Sequence, residues 1–88
     1  MISVESIDNN SFSVSVTKDS STEHIVLLNN HFHQDVTNNK IKKIELITHS
    51  FKFLLKRESN QSILKEFNLE VISRYFPEYI DEIKKIIL

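Results

Sequence analysis

Four histidines, His24, His31, His33 and His49, are the side chains best suited to metal or acid–base chemistry in this 88-residue sequence. His31 and His33 stand two apart. On a helix that spacing turns them about 200° from one another, so they cannot share one ion without irregular backbone. Cysteine is absent, which removes both thiolate zinc sites and disulfides. The remaining ligands would be scattered Asp and Glu. The reading is therefore no metal site, with His31 and His33 as cap or surface residues and His24 beside a sheet.

Catalytic constellations are equally scarce. Ser, His and Asp all occur, but there is no Gly-x-Ser-x-Gly elbow, no Gly-rich phosphate loop and no His-Glu-x-x-His. The chain contains no glycine at all. Loops that cradle phosphates need a close backbone approach that only Gly permits, so nucleotide and dinucleotide chemistry are disfavoured. Glu58 and Glu66 are acids without a marked setting and read as solvated charges on helix faces. No catalytic residue, cofactor or metal ligand is assigned.

Two candidate binding surfaces remain. Lys40, Lys42, Lys43, Lys52, Lys56, Arg57 and Lys65 make the Lys40–Lys65 stretch basic, a basis for weak nucleic-acid binding. The formal net charge of −1 works against it, because phosphate affinity comes largely from cation contacts. The second surface is Arg74, Tyr75 and Tyr79. Tyr and Arg are the residue types that most often dominate interfaces. Tyr75 and Tyr79 are four apart, which on a continuous helix puts them on one face. The expected function is a non-catalytic protein-interaction module, with another protein or a second copy as partner and nucleic acid as the alternative.

These residues must be positioned by one small α+β domain spanning 1–88, since the length leaves no material for a second core. Six Phe and two Tyr argue for a folded core rather than disorder. Period two governs the first part. Phe12, Val14 and Val16 alternate with Ser11, Ser13, Ser15 and Thr17, and Glu23–Leu28 follows after a polar turn at 18–22. With Ile2 and Val4 as a further alternation, residues 1–29 form a two- to three-stranded antiparallel meander.

Residues 30–88 read as a small bundle of four to five helices. Asn29-Asn30 caps a short helix over His31–Val36, and Asn38-Asn39 ends it in the left-handed region, which Asn tolerates better than most residues. The central helix spans about 42–57 with a core stripe of Ile44, Ile47, Phe51, Leu54 and Leu55. Leu46 and Phe53 lie off the stripe, so two sides are covered. Asn60 caps a short helix through Ile63, Leu64 and Phe67, ended by Asn68. Another turn or two cover Leu69–Phe76. Pro77 then opens a final helix with its stripe at Ile80, Ile83 and Ile87.

The run Ser50-Phe51-Lys52-Phe53-Leu54-Leu55-Lys56-Arg57-Glu58, followed by Ser62-Ile63-Leu64, Phe67, Leu69 and Val71-Ile72-Ser73-Arg74-Tyr75-Phe76-Pro77-Glu78-Tyr79, is similar to a group of small uncharacterised bacterial proteins. Those proteins end in a comparable Arg-Tyr-Phe-Pro-Glu-Tyr segment. His24-Ile25-Val26 fits their N-terminal hairpin. The chain departs from that pattern where Thr37-Asn38-Asn39-Lys40 replaces a Thr-Gly-Gly and where Ser59 replaces a Pro. The resemblance implies a bacterial, cytosolic origin and no activity. A cytoplasmic location also suits the absence of Cys, and Met1–Asp8 lacks the basic start and apolar run of a signal peptide.

Overall fold

The serine-apolar alternation at residues 11–17 places Phe12, Val14 and Val16 wholly inside and leaves the serines on the other face. A computed structural model, which describes residues 1–87, sets this segment as β2 (Ser11–Thr17) between β1 (Ile2–Ser6) and β3 (Ser21–Leu27). Both pairings are antiparallel. Val4 lies opposite Val14, and Val14 opposite His24. The turn at 7–10 is held by the Asn10 N–H, which donates to Asp8 Oδ1 at 2.8 Å. That bond is the main reason the Asp8 carboxyl is held below its usual pKa.

The sheet does not stop at three strands. β4 (Glu66–Asn68) pairs parallel to β3, giving a mixed sheet in the order β1-β2-β3-β4. The expected short helix through Ile63, Leu64 and Phe67 is corrected to one 3-10 turn at Asn60–Ser62 followed by this strand. Ile63 and Phe67 are buried and four apart, a spacing that fits period 3.6 and period two alike. The outer edge of β3 decides between them. Its Ile25 N–H would be left without a partner and instead donates to the Lys65 carbonyl at 2.7 Å. Residues 30–87 are therefore not purely helical, because their middle returns to the sheet. Asn68 ends β4 in an extended conformation and caps the following 3-10 turn, Leu69–Val71, by accepting from the Glu70 N–H.

The described helices are α1 (Asn30–Thr37), α2 (Lys43–Leu55), α3 (Ile72–Tyr75) and α4 (Tyr79–Ile87). Asn29 Oδ1 accepts from Phe32 N–H at 2.8 Å, the expected cap. Asn38 and Asn39 take φ of 51° and 60°, so asparagine fills the left-handed positions in a chain without glycine. α2 is one residue shorter at its start than expected and two at its end, with Lys42 and Lys56 as its caps. Its buried face is Leu46, Ile47, Ser50, Phe51, Phe53 and Leu54. Ile44, expected in the stripe, is exposed, while Leu46 and Phe53 are core. The core face is rotated because α2 lies against the sheet on one side and α4 on the other.

A chain of hydrogen bonds fastens the segment before β4 to the sheet. Asn60 Nδ2 donates to Ser20 O at 2.9 Å and to Thr22 Oγ1 at 3.1 Å. His24, buried in β3, lies 2.9 Å from Thr22 Oγ1 through Nε2 and 2.7 Å from the Leu64 carbonyl through Nδ1. A carbonyl only accepts, so Nδ1 carries the proton and Thr22 donates to Nε2. Asn60 is thus a buried tie rather than the helix cap expected of it. No described helix is long and apolar enough to cross a membrane.

Candidate interaction surface

Arg74 and Tyr75 are exposed on α3, Tyr75 to 68 % of its surface. Tyr79 is 0 % exposed. Tyr79 therefore cannot belong to the expected surface with Arg74 and Tyr75, which are the exposed members of the three. Phe76 adopts an extended backbone (φ −130°, ψ 92°) ahead of Pro77, which breaks the helix between the two tyrosines and turns the second inward.

Tyr79 performs a structural task. Its ring packs edge-on against Phe53 at 5.3 Å, and its hydroxyl lies 2.6 Å from Ser50 Oγ. Ser50 Oγ donates to the Leu46 carbonyl at 2.7 Å, so the Tyr79 O–H donates to Ser50. Burial pushes the phenol well above its ordinary pKa.

Tyr75 lies on the lip of an open groove of about 440 Å³. The end of α2 supplies Leu54, with Glu58 just beyond it. The segment leading into β4 supplies Ile63 and Leu64, β4 itself supplies Phe67, and Val71, Ile72, Tyr75 and Phe76 complete the lining. The walls are mainly apolar, with Glu58 the charged group among them. No described cation lies within ion-pair distance of Glu58. Leu64, 50 % exposed, is a second large side chain of the lining left in water. Arg74 is a neighbour of the groove but does not line it.

Sequence reasoning missed Leu64 and Glu58 as surface residues of this groove. A helix through residues 60–67 would have turned Leu64 toward a neighbour. The extended backbone instead buries Ile63 and exposes Leu64. The signal available was local: Leu64 is followed by Lys65-Glu66, an exposed charged pair that suits the outside of an edge.

The Lys40–Lys65 stretch is divided by the fold. Lys43 Nζ donates to Asn9 O and Asn10 Oδ1, fixing the β1–β2 turn. Lys65 begins the approach to β4. Lys52, Lys56 and Arg57 instead gather with Lys18, from the β2–β3 turn, around a hollow of about 420 Å³ that also holds His49 and Glu82. Arg57 is already engaged, with its guanidinium 3.6 Å above the Phe53 ring and Nε 3.4 Å from Glu78 Oε2.

The histidines are dispersed. His31 pairs with Asp35 at 3.2 Å on the exposed side of α1, and His33 Nε2 donates to the Ile41 carbonyl at 2.7 Å. Among the described residues no three His, Asp or Glu side chains are placed to hold a metal ion. Comparison of the chain with protein-family models, with curated proteins and with solved structures found no match.

Proposed function

We propose that this chain is a non-catalytic protein-interaction module whose docking surface is the groove between the end of α2, the Asn60–Phe67 segment and α3. Its occupant is an apolar peptide segment of another protein that carries a basic side chain. The observation that carries this reading is that the exposed Leu64 and Tyr75 line one apolar groove with an unpaired Glu58 in its wall, among the described residues. Covering the exposed half of Leu64 alone would contribute about 1 kcal/mol. The exposed tyrosine offers a rigid apolar body with a polar tip that water satisfies when the groove is empty. Glu58 then selects for charge, since a cation brought into that wall gains more than it would in open solvent. The setting proposed with it is the bacterial cytosol, which the resemblance and the cysteine-free composition support.

The test is selection of a random peptide library displayed on phage against the immobilised chain. Enriched peptides should combine large apolar side chains with Lys or Arg. Their binding should be lost on Leu64→Asp and weakened by Glu58→Gln, with both variants melting normally. Absence of enrichment, or binding indifferent to Leu64→Asp, would overturn the reading.

A second reading rests on the gathered cations Lys18, Lys52, Lys56 and Arg57, which suit weak, sequence-tolerant contact with nucleic-acid phosphates. It ranks lower because Arg57 is committed to Phe53 and Glu78, and Glu82 faces the same hollow.

A further inference from the structure

The alternation of hydrogen bonds along β1 fixes which of its backbone groups are unused. Thr17 N–H donates to Met1 O at 2.9 Å and Ile7 N–H to Ser11 O at 2.8 Å, so Met1 and Ile7 sit in bonded pairs with β2. Antiparallel pairs alternate, so Ser3 with Ser15 and Glu5 with Ser13 are bonded as well. The N–H and C=O groups of Ile2, Val4 and Ser6 therefore point away from the sheet, and no described residue bonds to them. β4 at the other edge is only three residues long, whereas β1 runs for five and presents the outward groups of three of them.

Natural edges are blunted by lysine, proline, bulges or inward charges. β1 has none of these, and its one charge is Glu5 on the outer face. Its sequence is Ile-Ser-Val-Glu-Ser, and Ile2 and Val4 remain only part-buried against the core. At its two ends stand Met1 and Ile7, 89 % and 57 % exposed.

We infer that β1 is a homodimerisation edge, on which a second copy of the chain adds its own β1 antiparallel about a two-fold axis at Val4. The strand is complementary to itself in that register. Val4 exchanges both backbone bonds with Val4 of the second copy, and Ile2 does the same with Ser6, so every outward group of the strand is used. On the outer face Ser3 falls opposite Glu5 of the second copy, which keeps the two Glu5 carboxylates from facing each other. The exposed Met1 falls opposite the exposed Ile7. The result is one continuous eight-stranded sheet. A pair of five-residue strands buries little area, so the dimer belongs to the weak, transient size class. This surface is separate from the groove and stands or falls without it.

Sedimentation of the full chain from roughly 10 µM to 1 mM should show mass rising from monomer toward dimer, the range in which weak association is populated. Val4→Pro removes an outward N–H without touching the ladder to β2 and should leave a monomer at every concentration. Two Ser3 variants read the register, and decide the matter should the proline variant not fold. Ser3→Lys places a cation opposite Glu5 twice per dimer and should tighten association roughly severalfold. Ser3→Glu should weaken it by a similar factor. A chain that stays monomeric throughout, or a dimer that both Ser3 variants leave unchanged, overturns the inference.

Discussion

Removing either end of the Ser50–Tyr79 hydrogen bond should destabilise the protein, but by unequal amounts. Tyr79→Phe deletes a buried donor and leaves Ser50 still bonded to the Leu46 carbonyl. The loss is one net hydrogen bond, about 1 kcal/mol. Ser50→Ala leaves the phenol O–H, with Tyr79 0 % exposed, without an acceptor. An unsatisfied buried donor costs about 1–3 kcal/mol, so this smaller change should be the more damaging one. In the double variant the stranded donor no longer exists, and adding Ser50→Ala to Tyr79→Phe should cost little. The cycle should therefore show a coupling of about 1–2 kcal/mol between the two sites. Urea unfolding of the four proteins provides the assay, with similar m-values as the check that each remains two-state. Equal single costs that add within about 0.5 kcal/mol would refute the assigned bond direction. Nitration by tetranitromethane gives an independent check, since Tyr75 should react and Tyr79 should be protected in the folded chain.

Phe51, buried between His24 at 5.4 Å and Phe67 at 6.1 Å, joins α2 to both central and edge strands, so Phe51→Ala should cost ~3–5 kcal/mol, and an unchanged melting midpoint would contradict its place in the core. Tyr79 also sets an alkaline limit. Its folded pKa is raised, so its stabilisation is complete below the ordinary tyrosine value of about 10 and declines as pH rises past it, by up to about 1.4 kcal/mol per pH unit. The wild type should lose stability faster than Tyr79→Phe over that range, and parallel curves would contradict a buried phenol. Any DNA or RNA binding should fall steeply with salt and drop further in a Lys52→Ala, Lys56→Ala double variant, whereas sequence-specific binding that resists salt would favour nucleic acid over the groove.

Much of the fold is legible because it depends on short-range pattern. The alternation around Phe12, Val14 and Val16 fixes the first hairpin, and asparagines at 29, 38 and 39 mark the ends of α1 in a chain with no glycine to do so. The 60–68 segment is ambiguous in sequence because Ile63 and Phe67 suit a helix and a strand equally. What settles it is the unpaired edge of β3, some 40 residues earlier. Tyr79 shows the same limit at the candidate site. Residue type and spacing place it with Tyr75, but it is buried against Phe53 with its hydroxyl on Ser50, an acceptor 29 residues away on α2. The groove has no local signature either, since three separate segments form its walls. Arg74 and Tyr75 are readable as exposed residues, whereas Leu64 and Glu58 become part of the same surface only once β4 has turned the chain.

The amide and methyl NMR spectra of the isotopically labelled chain, recorded with and without a phage-selected peptide, test the proposed docking surface most directly. Perturbations confined to Glu58, Ile63, Leu64, Phe67, Val71 and Tyr75, absent when the same peptide is added to Leu64→Asp, are the predicted result. Perturbations centred on Lys18, Lys52 and Lys56, or on the open edge of β1, with the groove signals unmoved, would contradict it.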